Sequence, residues 1–559
     1  MYSKDLMSFS IQSIKNETEL DGRLCSRLKT HHTHIPIYKK FFEENENDGM
    51  ILNYNNQIKK VHSTNEHNVF TGETSDGSKI PMFAKFCPLM DPTKVMIGKE
   101  TVDSVTLPKV NQEGEHPFDD NNNSAYVDSF FSYLTSKMLH HHGFIHGIDC
   151  YGSYLAIQKD FRVDIQEDVE YLFDSEYFLE NRDKFKVSDE IYEQFEPSQS
   201  CKFKRRLTIG DDNEGIKLEF NSLDTIGDNS IPNSPFDFKD CYNEDSDLVY
   251  IKTSNKNANL SNHSTNSSAT CSSRSSATTR DDEDNAFSDC DESFDDEEGD
   301  YSSSEEEEED APIYATVENF PVNMVFLEGC KETLDDYIMN NDIIEKEWSA
   351  ILMQIIMSLI VLQEKLYFIH NDLHTSNVMY VPTEKQFLCY KYGDKHYKVP
   401  TFGKIWKIID FGRAIYKFKG RIMFSDSFSE KGDASTQYNC EPYLNEKKKI
   451  VPPNFSFDLC RLACSLFDFF DEVDDLDSIR DLIDDWVKDD KGRNILYKKN
   501  GDERYPDFKL YKMITRSVHH IIPKDQLKHP LFSQYSTSRK NIRKNQLIMK
   551  IDDIPSYVV

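Results

Sequence analysis

Two short strings decide the fold of this 559-residue chain: HNDLHTSN at residues 370–377 and IDFG at residues 409–412. Each is a polar run that interrupts apolar, strand-like sequence. Asp372 is followed five positions later by Asn377, and Asp410 stands at the end of the second strand. Phosphoryl transfer from ATP needs a carboxylate that receives the acceptor hydroxyl, together with oxygen ligands for Mg²⁺. These three side chains supply that set.

The order H-x-D-x-x-x-x-N followed by D-F-G resembles the protein-kinase family. This resemblance implies that Asp372 is the catalytic base, that Asn377 and Asp410 bind Mg²⁺, and that ATP is the phosphoryl donor. Lys85, in the string MFAKF, resembles the lysine that holds the α- and β-phosphates. The string HNDLHTSNVM and the acid-rich insertion resemble the divergent serine/threonine-protein kinases of giant DNA viruses.

Other features follow in the same order along the chain. The string VFLEGCKETLDDYI resembles the hinge, so Glu328 and Cys330 are implied to offer backbone groups to adenine. Asp458 resembles the buried aspartate that supports the catalytic loop from a helix start. Asp128 is the acid in the body of a helix predicted over 124–142, with Ser124 as its N-cap. We expect Asp128 to pair with the lysine of MFAKF; a simple acid near a positive helix end is the alternative.

Three departures from the kinase pattern bear on function. Residues 51–70 contain no glycine, which predicts an altered or absent phosphate lid. Asn371 replaces the arginine that pairs with a phosphorylated activation loop, so we expect activity that does not depend on such phosphorylation. His374 replaces the lysine usual in Ser/Thr kinases, and a protonated His374 would contact the γ-phosphate. The DLHxxN string occurs instead in kinases of small molecules, the aminoglycoside- and choline-kinase-like group.

Strands come first and helices later, a pattern that predicts an α+β protein. With the resemblance, the expected fold is bilobal and protein-kinase-like, with a small β-rich N-lobe, a larger helical C-lobe and a long, partly disordered acidic insertion. The expected parts are a poorly ordered N-terminal extension (1–45), the first part of the N-lobe (46–157), the insertion (158–311), the last N-lobe strand and hinge (312–330), the C-lobe (331–535) and a C-terminal tail (536–559).

The acidity of the chain is concentrated in one segment. Residues 280–310 hold 18 Asp and Glu and one Arg, which is about half of the net charge of −33. Residues 252–311 are too polar to bury a core, so we predict that they are disordered. They act either as a solvating linker or as a segment phosphorylated by an acid-directed kinase. The negative charge argues against nucleic-acid binding and against an anionic membrane surface.

The remaining composition points to a reducing compartment. The 12 cysteines form no CxxC pair, which argues against a disulfide framework and a zinc site. The N-terminal residues lack the apolar core of a signal peptide, and the longest apolar run is too short to span a bilayer. We therefore expect a cytoplasmic protein, in the host cell or packaged in a virion if viral, that is a monomer by default.

Three functions remain open from the sequence. The first is an ATP- and Mg²⁺-dependent kinase that phosphorylates Ser and Thr hydroxyls of protein substrates. The second is a phosphotransferase for a small molecule, favoured by the DLHxxN string. The third is a pseudokinase or scaffold that recruits partners through its acidic segment, favoured by the missing glycine loop.

Overall fold

A computed structural model describes residues 11–13, 18–42, 50–103, 105–109, 117–188, 191–192, 313–471 and 476–559. The strands are β1 (Ile11–Ser13), β2 (Leu28–His32), β3 (Met50–Leu52), β4 (Ile58–Ser63), β5 (Val69–Thr74), β6 (Lys79–Pro88), β7 (Cys150–Asp164), β8 (Phe185–Lys186), β9 (Tyr314–Glu328), β10 (Glu332–Thr333), β11 (Val378–Pro382), β12 (Phe387–Tyr392), β13 (Lys395–Pro400), β14 (Lys404–Ile408), β15 (Ile415–Phe418), β16 (Arg421–Phe424), β17 (Ser536–Thr537) and β18 (Ile548–Lys550). The helices are α1 (Gly22–Arg27), α2 (Ile37–Phe41), α3 (Pro92–Met96), α4 (Ser124–His142), α5 (Val169–Phe173), α6 (Glu176–Glu180), α7 (Leu334–Asn340), α8 (Glu345–Leu366), α9 (Phe457–Asp471), α10 (Asp477–Trp486), α11 (Phe508–Ser517), α12 (Pro523–Gln526) and α13 (Pro530–Ser533).

The strand-rich half of the described chain is built on one antiparallel sheet. Its strand order is β2-β7-β9-β6-β5-β4, and β8 pairs with the outer part of β9. Strands β5 and β6 form a hairpin, and Gly77 supplies the positive φ of 82° that its turn requires. The fold is therefore a mixture of sheet and helix, in agreement with the α+β expectation at that level.

One N-terminal segment contacts both edges of the sheet. Strand β2 pairs with β7 at one edge. Nine residues before β2 begins, Glu19 forms a bridge to Lys60 of β4 at the opposite edge, where its N–H lies 2.8 Å from the carbonyl of Lys59. Leu24 of α1, between the two contacts, is 0% exposed.

The structure differs here from the expected poorly ordered extension. The described residues 18–42 form α1, β2 and α2, and Ile35 and Ile37 are almost fully buried. The polar composition of the segment argued for disorder, but its backbone groups are satisfied by the two sheet edges. Pairing with distant strands leaves no periodic signal in so short a segment.

The predicted insertion begins inside ordered structure. β7 is one long strand that continues seven residues beyond position 157 and pairs with β9 as far as Asp164–Tyr314. Helices α5 and α6 and strand β8 follow directly, with Leu172 and Phe178 0% exposed. The acidic segment predicted to be disordered, 252–311, lies outside the described residues.

The second half of the chain is helical around α8. This helix is long and apolar enough to cross a membrane, but 94% of its apolar window is buried inside the protein, as expected of a core helix. A hairpin of β12 and β13 lies between the two motif strands. It is completed by β17 and β18 from the predicted tail 536–559, which supplies the two outer strands of a four-stranded sheet.

The N-terminal segment is expected to contribute to stability like any other part of the core. Leu24→Ala removes a fully buried side chain and leaves a cavity, so the free energy of unfolding should fall by about 2–5 kcal/mol. Urea denaturation measures the loss. Lys29→Ala, at an exposed position of β2, is the matched control and should leave the midpoint nearly unchanged. Equal midpoints for the two variants would contradict this assignment.

Candidate functional site

A buried lysine joins three distant parts of the chain. Lys85 Nζ lies 2.8 Å from Asp128 Oδ2 and 2.9 Å from Asp410 Oδ1. The side chains of Lys85 and Asp128 are 7% and 3% exposed, and that of Asp410 is 29% exposed. The other oxygen of Asp128 accepts the N–H of Phe411 at 2.8 Å. The structure thus brings together β6, α4 and the second motif, and the pairing expected for Asp128 is present.

Helix α4 is held in place at both its start and its middle. Its N-cap is Asn123, one residue before the expected Ser124, because the Asn123 side chain accepts the N–H of Ala125 at 3.1 Å. The N–H of Ser124 donates to Asp426, from the segment after the second motif, at 2.9 Å. Asn323 of β9 donates to the carbonyl of Ala125 at 2.9 Å, and to a serine hydroxyl one turn further on. These contacts place the carboxylate of Asp128 at the lysine.

The first motif is a loop whose backbone is supported by Asp458. This carboxylate, 0% exposed, accepts the N–H of His370 at 2.9 Å and that of Asn371 at 3.0 Å. Burial raises the pKa of Asp458 to about 6, against the lowering effect of His370 and of these N–H donors. His370 in turn makes a 2.8 Å hydrogen bond to the carbonyl of Ile409, which links the two motifs.

Both motifs contain a residue with left-handed backbone. Asn371 has φ of 66° and Asp410 has φ of 62°. Such conformations are costly for residues other than glycine and concentrate at functional sites. Asn371 is held there by its side chain, which donates to the carbonyl of Arg413 at 2.9 Å and accepts from Tyr438. The residue that replaces the usual arginine therefore binds neutral groups of the segment after the second motif.

Asp372 is surrounded by groups that sequence reasoning missed. Its Oδ1 accepts the hydroxyl of Tyr511 at 2.7 Å, and the same hydroxyl lies 2.9 Å from Arg461 Nε. Burial alone would raise the pKa of Asp372, but Arg413 and Arg461 outweigh it and hold that pKa far below its ordinary value. The carboxylate is therefore ionised at any physiological pH.

The sequence offered unequal signals for these three neighbours. Arg413 directly follows the second motif, and Arg461 lies three residues after Asp458 on α9, so both stood next to predicted site residues. Tyr511 lies on α11, 139 positions after Asp372, and no motif marks it. Its ring is stacked on Phe508 with centroids 5.2 Å apart, which fixes the direction of its hydroxyl.

Asn377 and His374 form hydrogen bonds within the loop that follows Asp372. The Asn377 amide donates to the carbonyl of Asp372 at 2.9 Å and lies 3.0 Å from His374 Nε2. With the amide donating, that ring nitrogen is an acceptor and the imidazole is neutral. Burial lowers the pKa of His374, although Asp372 opposes the shift. The structure therefore favours a neutral His374, and not the protonated form considered from the sequence.

The oxygens expected to bind Mg²⁺ are available. Within the described residues, no protein donor contacts the second oxygen of Asp410 or the amide oxygen of Asn377. The two sites are adjacent, because the N–H of Ile409 donates to the carbonyl of Asn377 at 3.0 Å. Where the structure describes the chain, no group of three His, Cys, Asp or Glu side chains forms a complete metal cage. This donor set fits Mg²⁺, which takes few protein carboxylates and fills its shell with water and phosphate oxygens.

The predicted hinge residues end strand β9. The carboxylate of Glu328 is paired with the buried Lys407 and accepts the N–H of Asp149 at 3.2 Å, so this side chain is structural. The N–H of Cys330 donates to no acceptor in the described chain. A free backbone donor at this point suits recognition of a planar base.

The turn that connects β4 to β5 contains no glycine but is ordered, and Asn68 at its end has φ of 57°. The carbonyl of Asn68 accepts the N–H of Ala84 at 2.8 Å, and its side chain accepts from Arg27 of α1 at 3.0 Å. The glycine-free segment, for which we expect an altered or absent phosphate lid, is thus tied to the N-terminal segment through Asn68.

Substitution of Lys85 should lower the free energy of unfolding more at neutral pH than at acidic pH. Burial would raise the pKa of Asp410, but Lys85 lowers it below its ordinary value. A lowered pKa stabilises the fold above the ordinary carboxyl value of about 4, and this stabilisation is lost as the pH falls. Lys85→Met leaves two carboxylates, one of them buried, without their counter-charge, so the free energy of unfolding should drop by about 3–5 kcal/mol at pH 7.5 and by less at pH 4.5.

Urea denaturation at the two pH values tests this expectation. Lys60→Met is the control, because it removes a lysine paired with Glu19 at the surface, where the two side chains are 48% and 70% exposed. It should change neither midpoint appreciably. A pH-independent loss in Lys85→Met would show that the lysine acts through packing and not through its charge.

Comparison with known proteins agrees with a kinase class without defining it. No protein-family model matches the chain. Over 113 residues the chain is 28% identical to a protein named Probable kinase 098L of Invertebrate iridescent virus 3, a match that covers 20% of this chain and 21% of that protein. Over 106 residues it is 23% identical to Uncharacterized protein ZK177.2 of Caenorhabditis elegans, a match that covers 18% of this chain and 36% of that protein. The chain therefore spans well under half the length of both relatives, and its similarity to a protein named as a probable kinase is distant and partial.

Proposed function

We propose that this chain is an ATP- and Mg²⁺-dependent protein kinase that phosphorylates Ser and Thr hydroxyls of protein substrates. The observation that carries the proposal is the position of the Lys85 amine, which lies 2.8 Å from a carboxylate oxygen of Asp128 and 2.9 Å from one of Asp410. Three charges with a net charge of −1, two of them almost fully buried, are costly for a purely structural core. They are well suited to hold a polyphosphate and its divalent cation.

We further propose that the fold is bilobal and protein-kinase-like. The sheet that carries Lys85 and the helix that carries Asp128 would form the N-lobe, and the helices around α8 and α9 the C-lobe. Cys330, just beyond β9, would lie in the hinge and offer its N–H to adenine. The partial similarity to a viral protein named Probable kinase 098L supports the kinase class. The Ser/Thr preference rests on the resemblance of the motifs alone.

The proposed roles follow from the chemistry of each residue. Bound ATP would supply the phosphoryl group, and bound Mg²⁺ would neutralise its charge. Lys85 would hold phosphate oxygens, and the free oxygens of Asp410 and Asn377 would bind the cation. Asp372 would orient the acceptor hydroxyl and take its proton late in the transfer, because its low pKa makes it a weak base.

Substitution of Asp372 should greatly reduce phosphoryl transfer and leave nucleotide binding intact. Purified protein is incubated with Mg²⁺, γ-labelled ATP and a generic protein acceptor, and the label on protein is measured. Wild type should transfer label to protein, whereas the labelling rate of Asp372→Asn should be lower by at least about a hundredfold. Asp410→Ala should lose labelling together with Mg²⁺-dependent nucleotide binding, which is measured by calorimetry.

The other outcomes separate the competing functions. Label on a small molecule but not on protein would establish a small-molecule phosphotransferase. Nucleotide binding without labelling would establish a pseudokinase. The glycine-free turn and the hydrogen bond that Asp372 already accepts from Tyr511 also favour that function. Equal labelling by Asp372→Asn and wild type would refute the proposed mechanism.

Tyr511 is expected to act as a positioning residue for Asp372. Tyr511→Phe removes one hydrogen bond to a charged group, so kcat should fall about tenfold while the KM for ATP stays unchanged. Steady-state labelling rates give both constants. Tyr497→Phe is a matched control, because that hydroxyl also donates to a carboxylate, Asp468 at 2.8 Å, away from the site. A rise in kcat for Tyr511→Phe would instead identify the tyrosine as an inhibitory plug.

A further inference from the structure

A polar cavity lies beside the sheet and outside the proposed nucleotide site. Its volume is about 690 Å³. Its walls come from the segment before β4, from the β5–β6 turn and from the C-terminal end of α4. The lining residues that carry the argument are Asn55, Asn56, Thr74, Ser78, Lys137 and His141.

Lys137 is buried in this wall without a counter-charge. The residue is only 4% exposed. In the described chain its amine has no carboxylate and no hydrogen-bond acceptor, and it lies 5.8 Å from the centre of the Tyr133 ring. Burial without a compensating acid lowers the pKa of Lys137 to about 8, so the amine is still mostly protonated at pH 7. An unpaired buried cation is costly, and a bound anion would offset that cost.

The rest of the lining consists mainly of neutral groups that can donate hydrogen bonds. Asn55 Nδ2 lies 3.2 Å from His141 Nε2, the hydroxyls of Ser75 and Ser78 also line the cavity, and that of Thr74 already donates to a carboxylate oxygen of Asp76. The acid of the lining is Asp76. It is exposed, and its Oδ1 already accepts the N–H of Ser78 at 3.0 Å. The lining therefore offers a cation and several hydrogen-bond donors to a ligand rich in oxygen.

Hydrogen bonds within the protein fix the wall of the cavity without a ligand. The amide of Asn56 donates to Asp149 at 3.0 Å, and the backbone N–H of Asp149 contacts the carboxylate of Glu328 at 3.2 Å. Lys137 lies nine residues after Asp128 on α4, which is about 13 Å along the helix. The cavity is thus preformed and separate from the lysine–aspartate cluster.

We propose that this cavity binds a small phosphate-bearing ligand, with Lys137 as its counter-charge. The volume falls within the range of small-molecule sites, and phosphate oxygens match the surrounding amides and hydroxyls. A phosphomonoester and free inorganic phosphate share this chemistry. The site does not depend on the proposed kinase activity.

Calorimetric titration of the full chain at constant ionic strength tests the site. The probes are inorganic phosphate and O-phosphoserine, without nucleotide or Mg²⁺. Wild type should bind at least one of the two, and the tighter probe identifies the source. Lys137→Met should weaken binding at least about tenfold. Lys79→Met, which removes an exposed lysine near the β5–β6 turn, should bind like wild type.

Urea denaturation without phosphate supplies the second readout. Because Lys137→Met removes an unpaired buried charge, its midpoint should equal or exceed that of wild type. Unchanged phosphate affinity in Lys137→Met, or no binding by wild type, would overturn the proposal. So would a lower midpoint for the variant, which would assign the lysine to packing against Tyr133.

Discussion

The amine of Lys85 is the point at which the two halves of the described chain are joined. It bridges a carboxylate on α4 and a carboxylate after β14, at 2.8 and 2.9 Å. Because the lysine and Asp128 are almost fully buried, each charge requires the other, and the position of α4 on the sheet is set by that requirement. The capping of α4 by Asp426 and the bond from Asp128 to the Phe411 N–H extend the same constraint into the segment after the second motif.

A second cluster of charges determines the ionisation and the orientation of Asp372. Arg413 and Arg461 face it, and Tyr511 fixes one of its oxygens. This environment keeps the carboxylate ionised and directed, which suits a residue that orients a hydroxyl. Under the proposed function, the acceptor hydroxyl would share this carboxylate with Tyr511. The two clusters are connected through His370, whose ring bonds the backbone just before Asp410.

Local sequence patterns predicted most of the elements that carry the site. The helix with Asp128 and the strand before Asp410 form close to their expected positions because each has its own local sequence pattern. Ser124, the expected N-cap of α4, is its first helical residue instead, because the side chain of Asn123 accepts the N–H of Ala125. The N-terminal segment and the C-terminal tail were expected to lie outside the fold, yet both supply strands, because edge pairing depends on partners far away in the sequence.

By itself, the sequence determined the chemistry of the candidate site: which carboxylates, amide and lysine are present, and their order along the chain. Those features are local, since each motif carries its own residue types and spacing. Long-range packing accounts for the rest: Tyr511 and two arginines lie around Asp372, and Lys137 is buried without a counter-charge in the described chain. The reason is physical: burial and charge pairing depend on distances between residues that the chain separates by tens to hundreds of positions.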